Sequence, residues 1–420
     1  MEVPKVLISE IYPEKGKKIE DFDKKSPYIV KIVKPLDLAD TLFQYGENFY
    51  EAAHLITEFL LDGKNTRKLD IYFFSLAFLY RHCMEVELKA IAFQDIIDKE
   101  RQKKFVKETR HDLSQILRFI KMKSQIIRPV NEIEWLKKYF MDLSQLDKES
   151  DSFRYPFHIV RESDEGEKKY TIKSFFDNQI HIDLVKFANK FEAAHEIIKK
   201  WYLKETDSAI EWRELNPIFI ETGGGFYGQS VVGYQCTKEA FFPYVNAYLE
   251  TANYLKYYMK NKTDEGENEY KKHLFLPMCY LYRNCVELNL KKIWLEDIRE
   301  NSYVKYKEVM GMKHSIGRMW NKIKPYVLEY GQNKEELEYI EVVEDYCKQI
   351  QKIDSDANKF RYPMSNTMQV YFTQNKRFDF TCIGDFFEAL NNGLDGISMQ
   401  INHVIYPRKI QMMIETGNYL

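Results

Sequence analysis

The chain has 420 residues, with 62 Lys and Arg against 64 Asp and Glu and a formal charge of −2. That length holds two to three ordinary domains, and 45% hydrophobic residues with only 17 Gly and 12 Pro exclude a disordered, collagenous or disulfide-stapled chain. Near-neutrality excludes a whole-molecule field that would draw the protein onto nucleic acid or an anionic membrane, so any basic surface must be local.

In chain order, residues 1–33 read as an N-terminal arm whose opening VPKVLISEIYP is strand-like. Charges interrupt it every few residues, so no signal peptide is expected. Helical periodicity begins at 39–61. From Asp70 to Asp98 there is no Pro or Gly, and Phe73, Leu76, Leu79, Cys83, Val86, Ala90, Phe93 and Ile97 recur at steps of three and four, which predicts one long central helix. Shorter amphipathic helices are expected at 112–122, 132–143 and 183–203. Residues 201–235 form a connector in which Gly223, Gly224, Gly225 and Gly228 interrupt a β-branched and aromatic run, predicting turns and a short strand or two. No Gly-Lys-Ser/Thr follows, which argues against a phosphate-gripping turn. The string IETG of the connector recurs at Ile414 to Gly417 in the C-terminal tail, 404–420. Arm, connector and tail are expected to pair in a small sheet outside the helices.

Six Cys, at 83, 236, 279, 285, 347 and 382, form no Cys-x-x-Cys pair, and no apolar run reaches the ~18 residues of a membrane span. Reduced thiols, no membrane and a cytoplasmic location are the expectations.

The chain is written twice. LYRHCMEVELKAI (79–91) and LYRNCVELNLKKI (281–293) agree at 8 of 13 positions, against roughly one by chance. Matching segments flank them in order. Phe43 onward matches Phe242 onward, Arg110 onward matches Lys313 onward, and Asp147 onward matches Asp354 onward, ending in FRYP both times. Two homologous helical repeats, 34–200 and 236–403, are therefore expected, each a bundle of four to five helices. The fold class is mainly α with a minor β element.

Arg81, Glu85 and Lys89 stand at i, i+4 and i+8 on the central helix, and Arg283, Glu287 and Lys291 reproduce them. Two readings follow: an exposed ladder worth ~0.2–0.5 kcal/mol per pair, or a polar groove in which Arg offers a fork of donors to phosphate. Pro156 and Pro363 force the chain to turn after Arg154-Tyr155 and Arg361-Tyr362, where Arg either caps carbonyls or meets a phosphate. Asp147, Glu149, Asp354 and Asp356 upstream could neutralise Arg or hold a cation. Without a partnered His they are a poor metal set, and neither metal nor cofactor is expected. His111 and His314 hold equivalent places before a helix, suited to a hydrogen bond back to the bundle or to proton transfer.

This order of motifs, Arg-x3-Glu-x3-Lys, then Arg-His-Asp-Leu or Lys-His-Ser-Ile, then Phe-Arg-Tyr-Pro, resembles the HEPN superfamily of helical bundles in both repeats. The resemblance implies bundles that pair, here as a pseudo-dimer within one chain with homodimerisation open. It also implies either a metal-independent ribonuclease of prokaryotic conflict systems or a non-catalytic binding module. The nuclease form needs an Arg and a His at a longer spacing than Arg154 and His158 show, and Ser365 replaces that His in the second repeat. The leading expectation is a tandem HEPN-like protein that binds RNA, a nucleotide or a protein partner in an anti-phage defence or phage-conflict setting. It would use Arg81, Glu85, Lys89, Tyr155, Arg283, Glu287, Lys291, His314, Arg361 and Tyr362. One alternative is an endoribonuclease with a rearranged site of Arg154, His158 and His111. The other is a non-catalytic scaffold or inhibitor, with 30 Tyr and 28 Phe supplying the interface as readily as a core.

Overall fold

The computed structural model describes residues 11–411, apart from 124–127, 165–166, 206–210, 234–238, 262–266, 299–300, 329–333, 406 and 408–410. The fold is mainly helical, as the periodicity predicts. The first repeat runs β1 (Ile29–Ile32), α1 (Leu38–Asp62), α2 (Thr66–Asp95), α3 (Lys99–Thr109), α4 (Leu113–Lys123), α5 (Val130–Asp147), a hairpin of β2 (Phe157–Asp164) and β3 (Glu167–Ser174), β4 (Ile180–Asp183) and α6 (Leu184–Leu203). The second runs β5 (Gln229–Val232), α7 (Phe242–Asn261), α8 (Glu267–Lys292), α9 (Ser302–Met312), α10 (Ile316–Leu328), α11 (Lys334–Ile353), β6 (Lys376–Asp379) and α12 (Phe380–Gln400). Every helix of one repeat has its counterpart in the other. The β2–β3 hairpin does not: the second repeat has only an isolated bridge, Met364 to Val370, in its place.

Local chemistry explains the boundaries. Asn65 caps α2 by accepting from the Lys68 amide, and the helix ends at Ile96, which leaves Ile97 outside it and exposed. Pro277 lies inside α8 rather than in its first turn, so its missing N–H removes one bond from the helix interior. Two unusual backbone turns recur at equivalent positions. Arg110 and Lys313 have φ of 46° and 52°, and Ser150 and Ala357 have 63° and 62°. Left-handed backbone is costly for residues with a Cβ, so its recurrence marks inherited geometry.

Among the described residues the arm and the connector each supply one strand, and these two strands do not pair with each other. β1 pairs antiparallel with β6 of the second repeat, and β5 from the connector pairs antiparallel with β4 of the first. The registers are equivalent, Ile29 facing Asp379 and Gln229 facing Asp183. Each repeat thus begins with a strand donated to the other, earlier than residues 34 and 236. In the turn before β5, Gly223 and Gly224 adopt φ of +115° and +94°, and a Cβ at Gly224 would press on the Gly228 carbonyl and on Asp183. The strand-like opening segment and the second IETG lie outside the described residues.

Helices exchange partners in the same way. α1 packs on α2 and α8, and α7 packs on α8 and α2, giving one central core shared by both repeats. Phe78 of α2 stacks on Tyr280 of α8, its own equivalent, with ring centres 4.7 Å apart. Around that pair the contacts repeat: Phe49 meets Tyr280 at 6.2 Å, and its equivalent Tyr248 meets Phe78 at 6.1 Å. A residue meeting the equivalent of its own partner is the signature of a two-fold interface. The two repeats are related by an approximate two-fold axis beside Phe78 and Tyr280.

Candidate functional site: two buried ionic clusters and an inter-repeat cleft

Helical spacing puts Arg81, Glu85 and Lys89 on one stripe of α2, but the stripe is neither an exposed ladder nor an open groove. Arg81 and Glu85 are fully buried and Lys89 nearly so. Arg81 bonds Glu85 and the His111 carbonyl, and its Nε lies 3.0 Å from Asp147 Oδ2. Glu85 Oε1 receives Lys89 Nζ at 2.7 Å and His111 Nδ1 at 2.9 Å. Its last donor comes from the other repeat, where the Tyr362 hydroxyl donates to Glu85 Oε1 at 2.6 Å.

The second cluster repeats the first with the repeats exchanged. Arg283 Nη1 donates to Glu287 Oε2 at 2.6 Å and Nη2 to the His314 carbonyl at 2.5 Å, with Asp354 Oδ2 at 3.5 Å from Nε. Lys291 and His314 reach Glu287 Oε1 at 2.8 and 2.9 Å, and the Tyr155 hydroxyl of the first repeat donates to it at 2.8 Å. Each cluster balances two cations against two carboxylates. Asp147 and Asp354 therefore serve the central-helix arginines rather than those of the Arg-Tyr-Pro turns.

The turns act as cross-repeat latches. Arg154 donates from Nε to the Ser150 carbonyl at 2.5 Å and from Nη2 to Asp151 at 2.6 Å, and Arg361 does the same to Ala357 at 3.0 Å and Asn358 at 2.8 Å. Both guanidinium groups are buried and face inward rather than toward solvent. They hold Tyr155 and Tyr362 in place, and Lys291 sits 3.9 Å from the centre of the Tyr155 ring.

Burial alone would push the Glu85 and Glu287 carboxyls up, but the adjacent Lys, His and Arg outweigh it and hold both well below the usual range. Burial drives His82, whose Nε2 lies 3.1 Å from the Arg361 carbonyl, well down, and lowers His111 despite Glu85. Depressed groups stabilise the fold above their unfolded values and lose that contribution as pH falls toward the folded ones. Urea midpoints between about pH 8 and 4 should decline first below about 6.5, where the unfolded chain takes up the His protons. They should decline again below about 4.3, where it takes up those of Glu85 and Glu287. Burial raises Glu87 to about 8 and Glu296 to about 7, which opposes this loss over the same range. The His part is therefore read as the difference between wild type and His82→Asn, and an identical pH profile in both would contradict it.

One side of this assembly is open. A cleft of about 240 Å³ lies between the repeats, lined by Asp151, Tyr155, His158, Lys291, Lys313 and His314, with Phe157 and Ile159 of β2 and Val309 and Met310 of α9 as its apolar wall. The β2–β3 hairpin builds that wall by packing on α9, with Tyr170 against Tyr303 at 5.2 Å. His158 and His314 have half-exposed side chains, and His158 Nδ1 lies 4.0 Å from Asp151. Glu287 engages Nδ1 of His314, which leaves Nε2 as the nitrogen available to a ligand.

The structure thus separates the expected catalytic set. Arg154 and His158 share Asp151, whereas His111 belongs to the Glu85–Tyr362 cluster, and the His that joins His158 at the cleft is His314. Of the expected ligand-binding residues, Tyr155, Lys291 and His314 line the cleft. Arg81, Glu85, Arg283, Glu287 and Arg361 are spent on buried structure. Lys313 and Asp151 were not anticipated. The basic residue before His in both Arg110-His111 and Lys313-His314 is the sequence signal that could have found Lys313. Comparison of the chain with family models, with curated proteins and with solved structures gave no match. Among the described residues no helix is long and apolar enough to cross a membrane.

Proposed function

We propose that the protein is a tandem HEPN-like module that binds RNA through a backbone phosphate held in the inter-repeat cleft. The observation that carries this reading is the convergence of His158 from one repeat with Lys291, Lys313 and His314 from the other on a single half-open site. Imidazole and ammonium donors supply the charge that phosphate recognition needs, in a chain whose formal charge is only −2. The volume decides between ligand forms. At about 240 Å³ the cleft falls below the ~300 Å³ of pockets that enclose a whole small molecule, which favours one phosphodiester of a longer chain over a free nucleotide. The defence setting is part of the same proposal and rests on the resemblance of the motifs.

Fluorescence anisotropy with a labelled single-stranded RNA tests it. Binding at low salt should weaken with added salt, and Lys313→Ala should reduce the steepness of that dependence by about one phosphate contact. Absence of binding at low salt, or identical salt dependence in Lys313→Ala, removes the reading.

The orientation of His314 by Glu287 favours a second reading, cleavage of the bound strand. A carboxylate on Nδ1 poises Nε2 to take a proton from a ribose 2′-hydroxyl, and His158 would protonate the departing 5′-oxygen as the new 2′-oxygen-to-phosphorus bond replaces the old one. Incubation of RNA in excess chelator, with analysis for 2′,3′-cyclic phosphate ends, separates cleavage from binding alone.

A further inference from the structure

Comparing the two repeats position by position exposes one place where inherited geometry carries different chemistry. On the face of α2 turned toward α6, Cys83 and Glu87 stand one helical turn apart and meet His195 of α6. Their equivalents in the second repeat are Cys285, Asn289 and Asn391. There the chemistry is neutral and self-contained: Asn289 Nδ2 donates to Asn391 Oδ1 at 2.9 Å, and Asn391 Nδ2 donates to the Phe387 carbonyl at 3.0 Å.

The first repeat instead buries a thiol, a carboxyl and an imidazole, each at most 1% exposed. Cys83 Sγ lies 3.7 Å from His195 Nδ1, that nitrogen lies 3.1 Å from Glu87, and the three candidate donor atoms fall within 4.8 Å of one another. A tetrahedral ion with bonds of ~2.3 Å to sulfur and ~2.0–2.2 Å to nitrogen and oxygen separates its ligands by roughly 3.4–3.6 Å. The observed separations of 3.7 Å and 3.1 Å lie close to these values. Glu87 Oε1 is buried and, although 3.1 Å from His195 Nδ1, accepts no hydrogen bond of good geometry. On the far side of the ring, Glu47 Oε1 lies 3.3 Å from His195 Nε2, and Lys199 donates to Glu47 Oε2 at 2.6 Å. A carboxylate behind a ligating imidazole is the usual outer support of a metal-bound His. The Tyr50 ring, stacked 3.6 Å from the imidazole, fixes its plane. Gly46 makes the room, because a Cβ there would sit 2.3 Å from Glu87 Cγ. The second repeat has Val245 at that position beside the shorter Asn289.

We propose that Cys83, Glu87 and His195 form a structural site for one zinc ion in the first repeat, with Glu47 as the outer support of His195. Thiolate, imidazole and carboxylate together select zinc over magnesium or calcium, which prefer all-oxygen shells. Glu87 chelates through both oxygens, whose short separation distorts the four-coordinate shell from a regular tetrahedron, and the thiol proton leaves to solvent on binding. The ion ties α2 to α6 and, through Glu47, to α1.

The test uses the full chain, incubated with zinc, freed of excess and assayed by mass spectrometry for metal. About one zinc ion per chain is expected. Glu87→Asn with His195→Asn, which installs the residues of the second repeat, should lower that content by at least roughly tenfold with far-ultraviolet circular dichroism unchanged. Cobalt added to the metal-free wild type should give a thiolate-to-cobalt charge-transfer band that Cys83→Ser abolishes. Substoichiometric zinc in the wild type overturns the site. So does equal content in the double variant, or cobalt binding without the thiolate band. RNA binding at the cleft is untouched by any of these results.

Discussion

Expressed alone, residues 1–205 should fail to fold, whereas the same segment co-expressed with 206–420 should purify as a one-to-one complex. The reason is the exchange of partners across the pseudo-two-fold axis. A lone first half exposes the face of α1 and α2 that carries Phe49 and Phe78, leaves β4 without β5, and strips Glu85 of Tyr362. Re-exposing five or six buried aromatic side chains at ~1.5–3 kcal/mol each loses roughly 10 kcal/mol, comparable with the whole ~5–15 kcal/mol stability of an ordinary domain. Near-ultraviolet circular dichroism and gel filtration of each half provide the measurement. A monodisperse half with a cooperative melt would show that the repeats are independent domains.

The second large effect is expected at the buried carboxylates. Glu85→Ala leaves the buried Arg81 and Lys89 without their shared counter-ion, and Glu287→Ala does the same to Arg283 and Lys291 beside the cleft. Removing one partner of a buried ion pair costs about 3–5 kcal/mol, because the remaining charge is stranded. An exposed ladder would cost no more than ~0.5 kcal/mol per pair, so the size of the loss in urea unfolding discriminates between the two arrangements. In a double-mutant cycle, Glu85→Ala and Tyr362→Phe should be strongly coupled although 277 residues separate them.

How legible this was varies by element. The long helix α2 was readable from its 3.6-residue period, and the duplication from LYRHC and LYRNC, because both are properties of residues near one another in the chain. The Arg-x3-Glu-x3-Lys stripe was equally readable as a shared helical face. What covers that face was not. Tyr155 reaches Glu287 across 132 residues, and no periodicity in either segment announces the other. The arm and connector show the same limit. The connector's strand character was visible in its β-branched residues, whereas β1 at Ile29–Ile32 was not anticipated, and the partners of both, β6 and β4, are set by the axis relating the repeats. His195 was invisible as a candidate ligand because its partners Cys83 and Glu87 lie 112 and 108 residues away.

The amino-acid sequence by itself determined that the protein is mainly helical, that one unit occurs twice, and that each copy carries the same charged stripe and the same Arg-Tyr-Pro turn. These are written in local spacing and in self-similarity, which survive without any knowledge of packing. Only the tertiary structure decided that the stripes are buried, that each turn latches the opposite repeat, and that a cleft opens beside the Glu287 cluster. Those outcomes depend on desolvation and on which distant surfaces meet, and both are set by the shared core around Phe78 and Tyr280 rather than by any single segment.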